Sequence, residues 1–587
     1  VNRSYRNKQD RMRFTKERRK NRLFGIYSYL EQIPIFSGFL YKARRIQEWY
    51  TPGEEEQIRN RTIKYLRTEC IYEILFLLLA CFVWNATLER IIMIGIGIYL
   101  VHAIYQFIYI RKRYYQLLVE LEQYLVVVRN EYQNCGMVEE ALQESLWDSN
   151  HAIGSHIRQL YEALEWEEQE ELQQYKENVS ISYLLTFFIL CKSCMTYGDT
   201  YVSGGSSFLK NIGHMKDEIH NELLYRKRLA HRFSGVLFVT VFPVFFLDFI
   251  RNWSVWNLPE LIRYYDGSYG ILMKCLICFV TVMVLEINRY LLEPKILVKG
   301  FHPCLEAISK RKSIQHFLLH VIHKRENVWE AIHRKLQIVS SSYNVVTFLL
   351  LKMLCGLSAW LAMVWLSVTL IVRENLLEYT IQPITLLQDE ITLRGSDIQC
   401  IPLVLGCIIV PILVYWIPNL LLTIKAGCKN RDLEEETMSL QAILIMLTPI
   451  PKMTIEIMLE WLCYGSNLFQ QALLDCSEQY VQDQEKALEE LYETMTYIPF
   501  RQLIKNLEVS DRIGIYQAFE ELPADYAYTI EKRKQDNEIN TDDRGAVGQF
   551  VSFFPLGMVI GGYLIIPFVL ESITQFLSYV SQMQSIT

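Results

Sequence analysis

No nucleotide-binding loop is legible in the 587 residues: the pattern G-x-x-x-x-G-K-[ST] is missing, so nothing cradles phosphates in the usual way. H-E-x-x-H and G-x-S-x-G are missing too, which removes the commonest metalloprotease and serine-hydrolase signatures. The 11 histidines are dispersed, and the 14 cysteines lie mostly inside apolar runs, as at Cys81, Cys275, Cys355 and Cys407. There a thiol packs as a small hydrophobe, and no disulfide framework can be read. Two CxxC pairs, Cys191/Cys194 and Cys275/Cys278, each offer half of a four-ligand zinc site, and the topology derived below puts them on different sides of a membrane. Residues 1–22 are crowded with Arg and Lys and do not resemble a secretory leader. These absences argue for a protein that is not an enzyme, holds no cofactor or metal, and draws any energy from a partner.

What is present is apolar surface in blocks. Apolar residues make up 51% and charged residues 21% of the chain, with a mean hydropathy of +0.10. That balance fits several membrane spans alternating with charged domains. A helix needs about 20 apolar residues to cross a bilayer, and about seven stretches approach that length: Ile71–Trp84, Ile91–Ile110, Ser234–Ile250, Ile271–Tyr290, Val345–Val372, Ile401–Leu422 and Gly548–Ile573. The first is the shortest, but the brief link Asn85–Arg90 makes it one arm of a hairpin with the second.

The basic residues orient these spans. A cytoplasmic N-terminus, with 1–70 as a basic segment attracted to anionic lipid rather than to nucleic acid, satisfies the positive-inside bias. Alternation then gives a hairpin at 71–110, a cytoplasmic domain at 111–233, spans within 234–290 and a basic connector at 291–344. A second hairpin with an outer loop follows at 345–422, then a second cytoplasmic domain at 423–547 and a last span with an outer tail at 548–587. The connector carries "SKRKS", "HKREN" and "HRKLQ", whereas the outer loops 251–270 and 373–400 have few basic residues.

The two cytoplasmic segments repeat apolar residues at intervals of three and four, as in "YYQLLVELEQYLVVVRNEY" and "ALEELYETMTYIPFRQLIKNLE", the period of amphipathic helices. Each reads as a helical bundle. "GMVEEAL" and "GIYQAF" both read as a helix ended by glycine (Gly136, Gly514), followed by a helix that buries its alanine (Ala141, Ala518). Each domain also leads, through a basic cluster, into Phe-Val-[Ser/Thr]-x-Phe-Pro: Phe238 to Pro243 and Phe550 to Pro555. The fold expected is therefore all-α and polytopic, with about seven transmembrane helices and two cytoplasmic bundles in a parallel internal repeat.

A membrane hairpin, an acidic helical domain, a basic cluster and a returning span with an early proline resemble the F-type inner-membrane platform of type II secretion and type IV pilus systems. The Tad-type branch is closest in layout. The Gly136–Leu142 phrase and the stretch Ala487–Glu521 carry the likeness, and two family units look joined in one chain. The resemblance implies a non-enzymatic platform in a bacterial cytoplasmic membrane. Its partners would be a hexameric cytoplasmic ATPase and pilin-like subunits passed into a filament. The alternative is a multi-span solute transporter or channel with a parallel repeat; a signalling scaffold is a third reading that leaves the shared Phe-Pro phrase unexplained.

Several residues stand out within this frame. Intramembrane charge is a functional suspect, and Lys352 either snorkels to the inner interface or pairs with Glu73 at the inner end of the first span. His102, in an apolar run, reads as packed. Gly557 and Gly561 form a GxxxG suited to close helix packing within the chain, or to joining two copies as a homo-oligomer. Pro243, Pro555 and Pro567 are expected to kink or interrupt their helices. The acidic runs Glu165–Leu172, Arg431–Thr437 and Glu485–Glu493 read as solvated helix faces or as docking sites for a basic motor surface.

Overall fold

Helical periodicity becomes helix nearly everywhere. The computed structural model describes residues 27, 31, 34–52, 55–83, 88–146, 152–165, 182–202, 205–292, 322, 326–338, 345–381, 395–495 and 497–586. The basic segment 1–22, most of the connector 291–344, most of the run Glu165–Leu172 and the middle of the outer loop 373–400 lie outside the described residues. Among those described, the protein is all-α apart from one two-stranded antiparallel ladder, in which Tyr201 pairs with Ser206 and Val202 with Gly205.

Among the described residues, four helices are long and apolar enough to cross a membrane: Met93–Cys135, Ser207–Phe245, Tyr269–Arg289 and Ile515–Phe576. They make this a membrane protein. Val345–Leu361 and Cys407–Thr423 are shorter apolar helices, and the first expected span forms the end of the helix Glu55–Val83.

The chain divides into two compact units. The first comprises 1–86, 97–228 and 432–540. Its core is organised by Ser182–Tyr197, a helix of 16 residues too short to cross a bilayer. Tyr183 to Cys191 are all buried, with Leu184, Phe187 and Cys191 fully so. Around it pack Leu117, Leu121, Leu125 and Val128 of Leu88–Cys135, together with Ile212, Ile219 and Leu223 of Ser207–Arg232. Leu440, Leu444, Met458, Leu462, Leu503 and Leu507, far along the chain, join the same cluster. The two segments read as separate bundles thus contribute to one continuous apolar core.

Gly136 and Gly514 end their helices as their sequences indicate. Gly136 adopts φ +74° and donates to the Tyr132 carbonyl at 2.8 Å; Gly514 adopts φ +91° and donates to Ser510 at 2.9 Å. Only glycine takes this left-handed region freely. The helices that follow differ. Val138–Leu146 buries Ala141 completely, whereas Ile515–Ala518 is four residues long and leaves Ala518 half-buried, with Phe519 filling the core instead.

The acidic run Arg431–Thr437 needs a correction, because its centre is not a solvated face. Glu435 and Glu436 are 5% and 7% exposed. Glu436 points at the start of the helix Gln470–Tyr480, where it accepts hydrogen bonds from the Ser466 hydroxyl (2.5 Å) and from the amides of Asn467 (2.8 Å), Leu468 (2.7 Å) and Phe469 (3.1 Å). Orphan N–H groups and the helix dipole both favour an anion there. Burial nevertheless raises the Glu436 carboxyl above its usual range, against the pull of those donors.

The second unit comprises 87–96, 229–431 and 541–587. Here the prolines expected to kink or interrupt their helices lie in different settings. The helix Leu522–Met558 continues past Pro555 without interruption. Its regular winding gives way at a π-helical stretch, Val559–Ile565, directly before Pro567 in the helix Ile566–Ile586. Proline lacks an N–H and crowds the preceding turn, and the wider π turn relieves that crowding. Ile566 donates back to Gly561 in the π pattern, so the next carbonyl, that of Gly562, would look to Pro567 for a donor that does not exist. The Tyr269 hydroxyl supplies it. Pro243 sits inside Val236–Phe245, and the helix ends two residues later, with Phe246 donating to the Pro243 carbonyl at 3.2 Å.

Glu436→Ala is expected to take an acceptor from three amides: the part-buried ones of Asn467 and Leu468, and the buried one of Phe469, which keeps the Ser466 hydroxyl at 3.1 Å. A buried amide left without any partner costs about 1–3 kcal/mol. Hydrogen exchange should show amides 467–472 losing protection before the rest of the first unit. Unchanged protection there would mean that water replaces the carboxylate.

Candidate functional site

Buried charge and buried amide groups mark two places, one in each unit. In the first, Arg533 of Leu522–Met558 is 7% exposed and lies between two carboxylates that are equally dry. Its Nη1 donates to Glu218 Oε1 of Ser207–Arg232 at 2.9 Å, and its Nη2 faces Glu435 Oε1 of Gly395–Leu447 at 3.1 Å. Glu222, a helical turn beyond Glu218, is engaged by Arg226 at 2.7 Å. One guanidinium thus serves two carboxylates, leaving an excess of negative charge. Burial, with Glu435 and Glu222 nearby, pushes the Glu218 carboxyl up to about 7 despite the attraction of Arg533. Neither Glu218 nor Arg533 is marked by any local motif. The only sequence signal was that Arg533 belongs to the basic cluster preceding the last Phe-Pro phrase.

In the second unit, the two Phe-Pro phrases converge. Thr240 and Ser552 are the [Ser/Thr] of the two copies, and both are buried. The Asn288 side chain, fully buried in Ser268–Leu292, donates to Ser552 Oγ at 2.8 Å and reaches Thr240 Oγ1 at 3.5 Å. Pro243 and Pro555 are buried beside them in sequence, while Phe238 and Phe550 are exposed at 65% and 76%. The phrase therefore has one working face: the hydroxyl and proline turn inward, the first phenylalanine outward.

Several pairs of positions a similar distance apart also meet. In the first unit Arg228 pairs with Glu538 at 2.6 Å, 310 positions away, and Glu218 with Arg533, 315 away. In the second unit Arg232 pairs with Asp542 at 2.7 Å, again 310 away. A Cβ on Gly548 would overlap the Phe233 ring. These separations are close to the offset between the two Phe-Pro phrases.

The remaining candidate residues are placed as follows. Glu73 lies in the first unit and Lys352 in the second, each with its own neighbours. Lys352 is buried, 4.5 Å from the ring centre of Tyr415 and 5.5 Å from that of Trp329, an arrangement in which π faces stabilise the cation. Glu73 Oε1 lies 3.6 Å from His102 Nδ1, and that nitrogen is 2.8 Å from Glu69 Oε1. His102 is thus packed, as its apolar surroundings indicate, but against carboxylates. Gly557 and Gly561 have no described neighbour within 4 Å of an added Cβ. A close approach is made at Gly562, where a Cβ would overlap the terminal methyl of Met273.

Compared with protein-family models, with curated proteins and with solved structures, the chain matches none of them.

Two experiments follow from this geometry. The native state holds the Glu218 proton up to about 7, whereas an unfolded glutamate releases it near 4.5. Between these values the folded chain binds more protons, so stability falls as pH rises. Glu218→Gln should flatten that part of the profile, as seen in melting of the detergent-solubilised chain at several pH values. Parallel slopes in variant and parent would show that Glu218 is already ionised there. Separately, a double-mutant cycle between Asn288→Leu and Ser552→Ala should return a coupling of about 0.6–1.7 kcal/mol, the range for hydrogen bonds between membrane helices. A coupling near zero would mean that the amide finds another partner.

Proposed function

We propose that this chain is the inner-membrane platform of a type II secretion or type IV pilus-like machine of the Tad type. It would couple a separate cytoplasmic ATPase to the movement of pilin-like subunits from the bilayer into a filament. The observation that carries the reading is the meeting, at one buried Asn288, of equivalent hydroxyls from both Phe-Pro phrases. A platform made of two joined, parallel family units calls for such equivalence. The ion pairs at separations of 310 to 315 positions support the same parallel repeat.

Seven crossings with a cytoplasmic N-terminus are part of this proposal. In support, large exposed apolar side chains concentrate in the expected spans. Leu78 and Leu79 lie in the first, Leu357 and Leu361 in the fifth, Ile412 and Trp416 in the sixth, and Phe553 and Phe554 in the last. Surface of that kind needs a covering, and lipid is the covering that matches its length and polarity. The cytoplasmic bundles would then lie on the bacterial inner face, where the motor works.

Docking to the ATPase is assigned to the helix Gln484–Thr494. It buries Ala487, Leu488 and Leu491 and leaves Glu485, Glu489, Glu490 and Glu493 exposed. Such a face would speed encounter with a basic surface and fix its orientation, and salt would weaken it.

The test is co-purification from native membranes at low salt, using a tag on the N-terminus. A Walker-motif ATPase and pilin-like proteins should accompany the chain. Their recovery should fall about 10-fold in a Glu489→Lys, Glu490→Lys, Glu493→Lys variant, in keeping with an electrostatically steered contact. A partnerless chain that moves a solute across vesicles would replace this reading with that of a parallel-repeat transporter.

A further inference from the structure

Glu69 and Glu73 stand one helical turn apart on Glu55–Val83, so their side chains leave the same face. His102 reaches them from Leu88–Cys135. One donor atom from each of the three lies within 4.8 Å of the other two. Bonds of about 2.0–2.2 Å around a tetrahedral ion place neighbouring donor atoms roughly 3.3 Å apart, between the 2.8 Å and 3.6 Å that separate His102 Nδ1 from the two carboxylates. We propose that Glu69, Glu73 and His102 bind one first-row divalent cation of the zinc type, and that the ion clips the two helices together.

Charge supports the assignment. Two carboxylates and a protonated imidazole carry a net negative charge, whereas two carboxylates, a neutral imidazole and a divalent cation carry none. The difference matters because the Glu69 side chain is only 6% exposed, and a dry carboxylate is costly unless it is compensated. The donor chemistry narrows the ion. An imidazole nitrogen with two carboxylate oxygens suits Zn2+, Fe2+ or Mn2+ better than Ca2+, which prefers oxygens alone. The Glu73 and His102 side chains are 29% and 28% exposed, which leaves an open side for an ion to enter and for water to complete the coordination. The Tyr65 hydroxyl, 3.4 Å from Glu69 Oε1, is the outer donor that orients the buried ligand. Binding would displace the proton from His102 Nδ1 to solvent, with the other ring nitrogen keeping its hydrogen, so acid weakens it.

This site does not depend on the platform reading. The full chain, purified in detergent and stripped with chelator, would be titrated with Co2+ as a spectroscopic stand-in for zinc. One equivalent should bind with visible absorption of nitrogen and oxygen coordination and without the near-ultraviolet band of thiolate ligation. That band separates this site from the cysteines. Glu73→Gln, at the half-exposed ligand, and His102→Gln should each weaken that binding by about 10–100-fold, with helix content checked by circular dichroism. Melting of the parent should rise on adding Zn2+, and that rise should vanish in both variants. If folded Glu73→Gln bound Co2+ as the parent does, or if the parent bound none, the cluster would be a proton-sharing ion pair and the proposal would fail.

Discussion

An arginine removed from water must take its carboxylates with it, and much of the first unit is arranged to meet that demand at Arg533. The side chain is held from two directions by helices that are remote in sequence, through Glu218 and Glu435. Removing the guanidinium would leave two carboxylates facing each other in a low-dielectric interior, a situation that costs several kcal/mol. The ion pairs therefore act less as a source of stability than as a specification of which helices must meet. Apolar packing around Ser182–Tyr197 provides most of the favourable burial; it is directionless and would tolerate a slip that Arg533 does not.

The second unit obeys the same requirement with neutral groups. Pro567 deprives the Gly562 carbonyl of its helical donor, and Tyr269 restores one. Asn288 offers its amide to hydroxyls on two different helices. Inside a bilayer each polar group must find a partner within the protein, because no water is present to supply one. At Gly562 the missing Cβ leaves room for the terminal methyl of Met273.

These features bear on the proposed role. A platform has to transmit movement between a motor and the bilayer without losing register. The ion pairs at matched separations, Arg228–Glu538 and Arg232–Asp542, lie at the surface, where such pairs add little stability, so they mark the register of the paired helices more than they enforce it. The carboxylates of Gln484–Thr494 are exposed, whereas those at Arg533 are buried and tie remote helices together.

Helix content and the apolar blocks were determined by the sequence itself, because periodicity and run length are local properties that neighbouring residues reveal. The helix-ending roles of Gly136 and Gly514 were equally local, since the left-handed backbone there suits glycine. Exposure is not local. An acidic run such as Arg431–Thr437 reads as a solvated face, and only the approach of the Gln470–Tyr480 helix start turned Glu436 into a buried acceptor. Likewise the sequence left Lys352 either snorkelling to the inner interface or pairing with Glu73, because its neighbours are not local. Tertiary structure put Lys352 over aromatic rings and Glu73 beside His102, because which side chains meet depends on how helices rotate and pack. The repeated Phe-Pro phrase lies between these cases. Its recurrence was plain in the sequence, but the convergence of Thr240 and Ser552 on one asparagine was decided only when three helices came together in space.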